Sequence, residues 1–499
     1  HLREVYVSKW WEEMSMMKKR ILAGFLALVL LCLTACSSGT DTEEWLKDEL
    51  GLNGEQFADT GTKECGEDTV LMGNTESEDP LRICIDLVNI ATDNTGWIDQ
   101  ALDDFLFRLK ETAGLENVVL ELIPSEYTSG GGIKFGDTSR ADAIERIQNE
   151  IKSGGGPDVF LLSYEVGVDH VNFRIDYDKK NCLFDYPEKA MEYGYFLPLD
   201  ELMEKNTKLT EWDKQTQPVL EAGRNWEGQQ IIPLSYTFPL LCYPKSEWEH
   251  VPDKEYTWND MLTNPKLLPY SLDMANCYSI QFGTDSWPAS DYMGYIMGKF
   301  ADFENEELGF TEEELLQCVN DIVVLKRTDD YEEFPDAQEL NASIRLSESK
   351  LNKPMTFLPL YNMDGGVTAQ IEKYAAINRN TEKAEDAFKV IDLLMSKYVQ
   401  RWSNIYQDLI ISYLGSIPLH EDLFQKSDPL VGNNYYMRAD NYEAFCKVRE
   451  QITCANFDSE GVYMLSEMLD NCFWAAEMDT TVEEIVHETY EEMTRRMKE

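Results

Sequence analysis

The side chains of this chain best equipped for chemistry sit in polar loops that follow apolar runs. Asp93, Asn94 and Trp97 share one loop, and Ser163, Tyr164 and Glu165 another. Tyr236, with Phe238, lies in a third, and Tyr361, Asn362 and Asp364 in a fourth. Aromatic faces beside amides and carboxylates suit a polyhydroxylated molecule. Its C–H faces stack on rings while its hydroxyls bond to the polar tips. A sugar or oligosaccharide is the first ligand class these residues fit. A peptide or a polyamine-like cation, drawn by acidic charge, is the second. Taken singly, each also has an ordinary structural use: Trp97 at a helix start, Tyr361 in a core.

Bond-making chemistry is poorly served. The chain has 5 His, at positions 1, 170, 250, 420 and 487. None lies in HExxH, and no GxSxG occurs. Ser347-Glu348-Ser349-Lys350 matches SxxK in form, but no Lys-Thr-Gly follows and the pair reads as a charged helix surface. Acidic clusters such as Glu304-Asn305-Glu306-Glu307 read as solvated surface, so no metal site is expected. Gly130-Gly131-Gly132 is neither GxGxxG nor followed by Lys-Ser/Thr, and reads as a flexible loop. No catalytic residue and no cofactor is expected. A glycosidase needs only two carboxylates facing one cleft. Among so many acids that alternative stays open, beside an adhesive or structural role.

The formal net charge is −48. Phosphate binding needs a basic footprint, so nucleic acid is excluded as a partner. Docking on anionic lipid through a basic patch is excluded in the same way. The charge serves solubility. Of 11 Cys, Cys32 and Cys36 fall in the N-terminal apolar region, and the odd remainder cannot all pair. There is no CxxC and no zinc-like His spacing. Cys84, Cys242 and Cys318 read as small buried hydrophobes; Cys446 and Cys454 lie close enough in sequence to bridge.

Lys18-Lys19-Arg20, the apolar run from Ile21 to Leu33 and the small-residue site before Cys36 form a signal peptide, too short to span a bilayer. Leu33-Thr34-Ala35-Cys36 resembles a bacterial lipobox, which implies lipidation at Cys36. A plain signal peptide that happens to contain a Cys is the other reading. His1 to Met16 reads as upstream extension. Residues 37–79 are acidic and poor in apolar side chains, and read as a disordered tether ending at Pro80.

The elements that must position the loops begin there. Leu81 to Ile90 reads as a buried strand. Ile98, Leu102, Phe105, Leu106 and Leu109 mark one helix face, and Val118 to Pro124 a second strand. Ile144, Ile147 and Ile151 line another helix, followed by the strand Val159-Phe160-Leu161-Leu162. Alternation of this kind implies a parallel sheet whose ligands sit beyond the strand carboxyl ends. Thr257, Thr311 with Glu314, and Thr480 with Glu483 read as helix caps.

Ser153-Gly154-Gly155-Gly156-Pro157-Asp158-Val159 resembles the "sG.gPDv" turn of family 1 extracellular solute-binding proteins, the maltose-binding-like group. Phe196 to Asp200, Glu227 to Pro233, Cys242 to Lys245, Ala376 to Leu393 and Gly415 to Pro418 resemble later elements of that family, in its order. Pro244 stands where the family has Asn, and the Ser125 to Ser139 loop is long. The resemblance implies an α/β, two-lobed periplasmic-binding-protein-like fold, type II-like, with a hinge between lobes. It places 80–236 and 358–398 in one lobe, and 237–357 and 399–499 in the other. Crossings are expected near Pro233 to Pro239 and Phe357 to Asn362, with a third after Tyr398. It further implies a monomer serving ABC permease subunits, held by lipid at the outer face of the cytoplasmic membrane of a Gram-positive bacterium. Residues 1–36 would be extension plus signal, and Asp93, Asn94, Trp97, Tyr164, Glu165, Tyr236, Tyr361, Asn362 and Asp364 the ligand contacts.

Overall fold

Apolar runs of five or six residues, each followed by an amphipathic helix, dictate most of the architecture. The computed structural model describes residues 64–65, 69–87, 97–124, 140–164, 168–169, 174–175, 182–206, 209–246, 253–264, 293–326, 338–341, 354–402, 417–424, 439–476 and 478–499. The strands of its two main sheets run in chain order as β1 (Glu64–Cys65), β2 (Val70–Gly73), β3 (Leu81–Asp86), β4 (Val118–Leu122), β5 (Val159–Ser163), β6 (Ile231–Thr237), β7 (Pro239–Pro244), β8 (Gln338–Asn341), β9 (Met355–Pro359), β10 (Val367–Ile377), β11 (Ile417–Pro418) and β12 (Ile452–Phe457). Against them pack α1 (Trp97–Glu111), α2 (Arg140–Lys152), α3 (Pro187–Glu192), α4 (Trp258–Thr263), α5 (Glu312–Lys326), α6 (Ala384–Met395), α7 (Ala439–Arg449), α8 (Glu460–Phe473) and α9 (Val482–Lys498).

Among the described residues, nine strands form one mixed sheet in the order β1-β2-β4-β3-β5-β10-β6-β11, with β12 beside β10. β3 is parallel to both β4 and β5, while β10 runs antiparallel to β5 and β6. β4 and β5 are buried along their whole length because helices cover them. Leu102, Phe105 and Leu109 of α1, and Ile144, Ile147 and Ile151 of α2, lie in the core at the expected spacings. The chain is thus α/β. None of the described helices is long and apolar enough to cross a membrane.

The structure departs from the sequence reading at three points. The sheet starts before Pro80, because β2 pairs antiparallel with β4 and buries Val70 and Met72. A short apolar stretch in an acidic segment suffices when a neighbouring strand edge supplies the partner, which local composition does not register. The segment 399–499, assigned above to one lobe, contributes β11 and β12 to the nine-stranded sheet. α9 is capped one residue later than expected: Thr481 and Glu484 close the reciprocal box, and the Thr480 hydroxyl adds a bond to the same carboxylate at 2.9 Å. Thr257 caps α4 and the Thr311/Glu314 box forms, both as read, and Asp260 completes a reciprocal box with Thr257.

A second, three-stranded sheet has the order β8-β7-β9, all antiparallel. Only Phe238 separates β6 in the large sheet from β7 in the small one. The chain returns between β9 and β10 over residues 360–366. At the first passage Phe238 stacks on Tyr236 (centroids 6.3 Å apart) and on Phe445 of α7 (6.1 Å). At the second, Gly366 takes φ +84°, and a Cβ there would stand 2.7 Å from the Gln451 carbonyl. Its N–H donates to the Tyr256 carbonyl at 2.9 Å, so the backbone cannot retreat without losing a bond. Gly366→Ala is expected to lower stability by about 2–4 kcal/mol, combining left-handed strain with overpacking. A loss below about 0.5 kcal/mol in denaturant melts would show that this turn relaxes freely.

Candidate functional site

Asp86 closes β3 and Ser163 closes β5, so both stand at the carboxyl edge of the parallel pair. Arg140, the first residue of α2, reaches back to this edge. Its guanidinium meets Asp86 in a two-pronged pair, Nη1 to Oδ1 and Nη2 to Oδ2, each at 2.7 Å. Nη1 also donates to the Pro124 carbonyl at 3.0 Å, and Ser163 Oγ donates to the Asp86 carbonyl at 3.1 Å. Both ions are buried. Burial pushes the Asp86 carboxyl up, and the Arg140 charge pulls it back. The pair ties the ends of β3, β4 and α2 into one rigid rim.

Lys373 of β10 faces Ser163 in register and is also buried. Burial lowers its ammonium to about 8, against the pull of Glu372 and Asp458. Asp458, just past β12, accepts from Gln370, and its backbone N–H bonds to the Ile371 carbonyl at 2.9 Å. Asp86, Ser163, Tyr164, Tyr374 and Asp458 line a tight recess with no room for a water molecule. The recess combines an acid, hydroxyls and aromatic rings beyond the strand ends, where α/β sheets hold ligands. Its own side chains fill it, and among the described residues that line it no nucleophile is paired with a base.

α8 meets this rim. Tyr463 lies against Tyr164, ring centroids 5.2 Å apart and planes at 25°. One turn earlier, the Glu460 N–H donates to the Asp185 carbonyl at 3.3 Å, while its carboxylate accepts from Arg496 Nη1 at 2.6 Å. Burial pushes the Glu460 carboxyl up to about 7, with Arg496 opposing. The unfolded value is near 4.5, so the folded state holds this proton more tightly. Stability from this group therefore rises as pH falls from about 7 toward about 4.5, and is absent above that window. The melting temperature should gain more between about pH 8 and pH 5 in the parent than in Glu460→Gln. Equal gains would show that Glu460 titrates normally.

No family model matches the chain, and no curated protein does. The chain is similar to a solved ABC substrate-binding protein from Listeria monocytogenes in complex with cycloalternan. Identity is 14%, with a TM-score of 0.43 over 84% of this chain and 100% of that one. It is similar to an extracellular solute-binding protein family 1 from Alicyclobacillus acidocaldarius at 12% identity and a TM-score of 0.46, covering 85% of this chain and 100% of that one. Family 1 solute-binding proteins are among its structural neighbours. A de novo designed cysteine esterase is another, at 13% identity and a TM-score of 0.45 over 84% of this chain and 98% of that one.

The residues singled out from sequence fall into separate places. Tyr164 lies in the strand-end recess. Trp97 is the first residue of α1. Asp93, Asn94, Glu165, the Gly130–Gly132 loop and Cys36 lie outside the described residues. Tyr236, Tyr361 and Asn362 are fully buried at the two passages between the sheets. The Tyr236 hydroxyl lies 3.3 Å from that of Thr216, and the Tyr361 hydroxyl accepts from the Asp253 N–H at 3.4 Å. Asn362 Nδ2 donates to Thr368 Oγ1 at 3.0 Å, while its Oδ1 has no hydrogen-bond partner among the described residues. Asp364 is exposed beside Gly298. The Cys446 and Cys454 thiols are both free. Asp86, Arg140, Lys373, Tyr374, Asp458 and Tyr463 escaped the sequence reading. A carboxylate ending an apolar strand, and a cation opening a helix whose dipole disfavours it, were the available signals at Asp86 and Arg140.

Proposed function

We propose that this chain is an exported, lipid-anchored solute-binding protein. It captures a small polar ligand, a carbohydrate in the first instance, between two α/β lobes and presents it to the permease of an ABC importer. The observation that supports this best is the pair of passages between the sheets, at Phe238 and at residues 360–366. Two adjacent connections let the sheets rotate about one line without unthreading either core. In this reading the large sheet with α1, α2 and α6 belongs to one lobe, and the small sheet with α4 and α5 to the other.

In this reading Trp97, Tyr164, Asp93, Asn94 and Glu165 supply ligand contacts from one lobe. Tyr236, Tyr361, Asn362 and Asp364 line the hinge side. Ligand that touches both lobes only in the closed form shifts the population toward it, and a permease reads that form. The signal segment and Cys36 support export and anchoring. Rings beside amides and acids support a carbohydrate over a peptide or cation.

Calorimetric titration of the purified chain with a panel of oligosaccharides, peptides and polyamines tests the reading. One ligand bound per chain, with no conversion after prolonged incubation, is the expected result, and Tyr164→Ala should weaken it at least tenfold. Consumption of a glycan, or failure of the whole panel to bind, would overturn it.

A further inference from the structure

A cavity of about 300 Å³ opens on the flank of the large sheet. It lies between the end of α2, the α3 segment, the first residue of α8 and the end of α9. Its volume stands at the lower end of the range for small-ligand sites.

One wall is a run of aromatic rings anchored in the core. Phe184 packs edge-on against Phe160 and Phe196, with centroids 5.8 and 5.0 Å away. Tyr195 lies against Phe184 at 6.0 Å, and Tyr193 stands edge-on to Tyr195 at 6.1 Å. Tyr193, the outermost of these rings, is half exposed. The wall is thus rigid at its base and open at its outer end. Tyr186 adds a polar point. It is buried, it lines the cavity, and its hydroxyl makes no hydrogen bond of ordinary length among the described residues. A buried hydroxyl of this kind calls for a partner from outside the chain.

The charges that line the cavity cancel. Lys152, Lys189 and Arg496 are matched by Asp185, Glu460 and Glu499. The balance holds to within one charge, because burial pushes the Glu460 carboxyl up to about 7. Three of the six are already engaged: Arg496 with Glu460 at 2.6 Å, and Lys189 with its ammonium 5.4 Å from the centre of the Tyr193 ring. Such a lining concentrates neither anions nor cations. An ion that entered would lose hydration for no net attraction. A sugar hydroxyl is donor and acceptor at once, so it bonds to groups of either sign, and the C–H face of the sugar suits the rings.

We infer that this cavity is a second binding site, for a neutral sugar of one or two rings, separate from the ligand contacts proposed above. The sugar stacks on Tyr193 and Tyr195, and its hydroxyls reach the Tyr186 hydroxyl and the charged rim.

The full chain is titrated calorimetrically with D-glucose, D-galactose and maltose, and with D-glucosamine and D-glucuronate as the charged counterparts of glucose. At least one neutral sugar should bind saturably. Its affinity should hold within about twofold as salt is raised from about 50 to 500 mM. It should fall at least tenfold in Tyr193→Ala and persist in Tyr164→Ala. Tyr186→Phe keeps the buried ring and loses only the hydroxyl, so it gives a second measure should Tyr193→Ala fold poorly; at least threefold weaker binding is expected. No binding by any of the three sugars, parent affinity in both Tyr193→Ala and Tyr186→Phe, or either charged counterpart bound more tightly than glucose would overturn the inference. Binding lost in Tyr164→Ala but kept in Tyr193→Ala would also overturn it, and would leave capture between the lobes standing.

Discussion

Arg140→Ala is expected to cost about 3–5 kcal/mol of folding stability, because it strands the buried Asp86 carboxylate without its cation. That carboxylate is already pushed upward by burial even with Arg140 in place. Removing the cation leaves the carboxylate as an orphaned buried charge. The double variant Asp86→Leu/Arg140→Met should recover most of the loss, since apolar replacements of similar volume often match a buried ion pair. Urea melts of the parent, the single variant and the double variant decide it. A single-variant loss under about 1 kcal/mol would mean that water reaches the carboxylate. Additive losses in the double variant would mean that the site cannot repack.

Phe238→Ala should be comparably severe, at about 3–5 kcal/mol, because a fully buried ring leaves a cavity with rigid walls. The ring is flanked by Tyr236 and Phe445, so the loss includes stacking on both sides. The residue also joins the two sheets, so the vacancy falls where the lobes would turn. Phe238→Leu keeps most of the buried area and should lose only about 1–2 kcal/mol. If the alanine variant melts with the parent, the column does not hold the passage together.

The parallel core was legible from sequence because each of its elements is locally consistent. Leu102, Phe105 and Leu109 repeat at helical spacing, and Val159 to Leu162 is apolar throughout. β2 was not legible, because Val70 and Met72 gain their burial from β4, a strand that lies far along the chain. β12 reads as an ordinary mixed segment and becomes a strand only beside β10. The strand-end recess was half legible. Its position follows from the β-α-β order and Tyr164 from the loop after β5, whereas Lys373, Asp458 and Tyr463 arrive from the far side of the chain. Tyr236 and Tyr361 read from sequence as candidate ligand contacts, Tyr361 also as a core residue, because an aromatic in a polar loop looks the same whether it faces a cleft or locks a passage between sheets.

The central claim is capture between lobes that turn about the two passages. Small-angle scattering of the chain with and without the ligand identified by titration tests it most directly. Closure predicts that the radius of gyration falls as ligand is added, saturating with the calorimetric stoichiometry. A radius unchanged at full occupancy would contradict the account, because a ligand that leaves the lobes where they were is not captured between them.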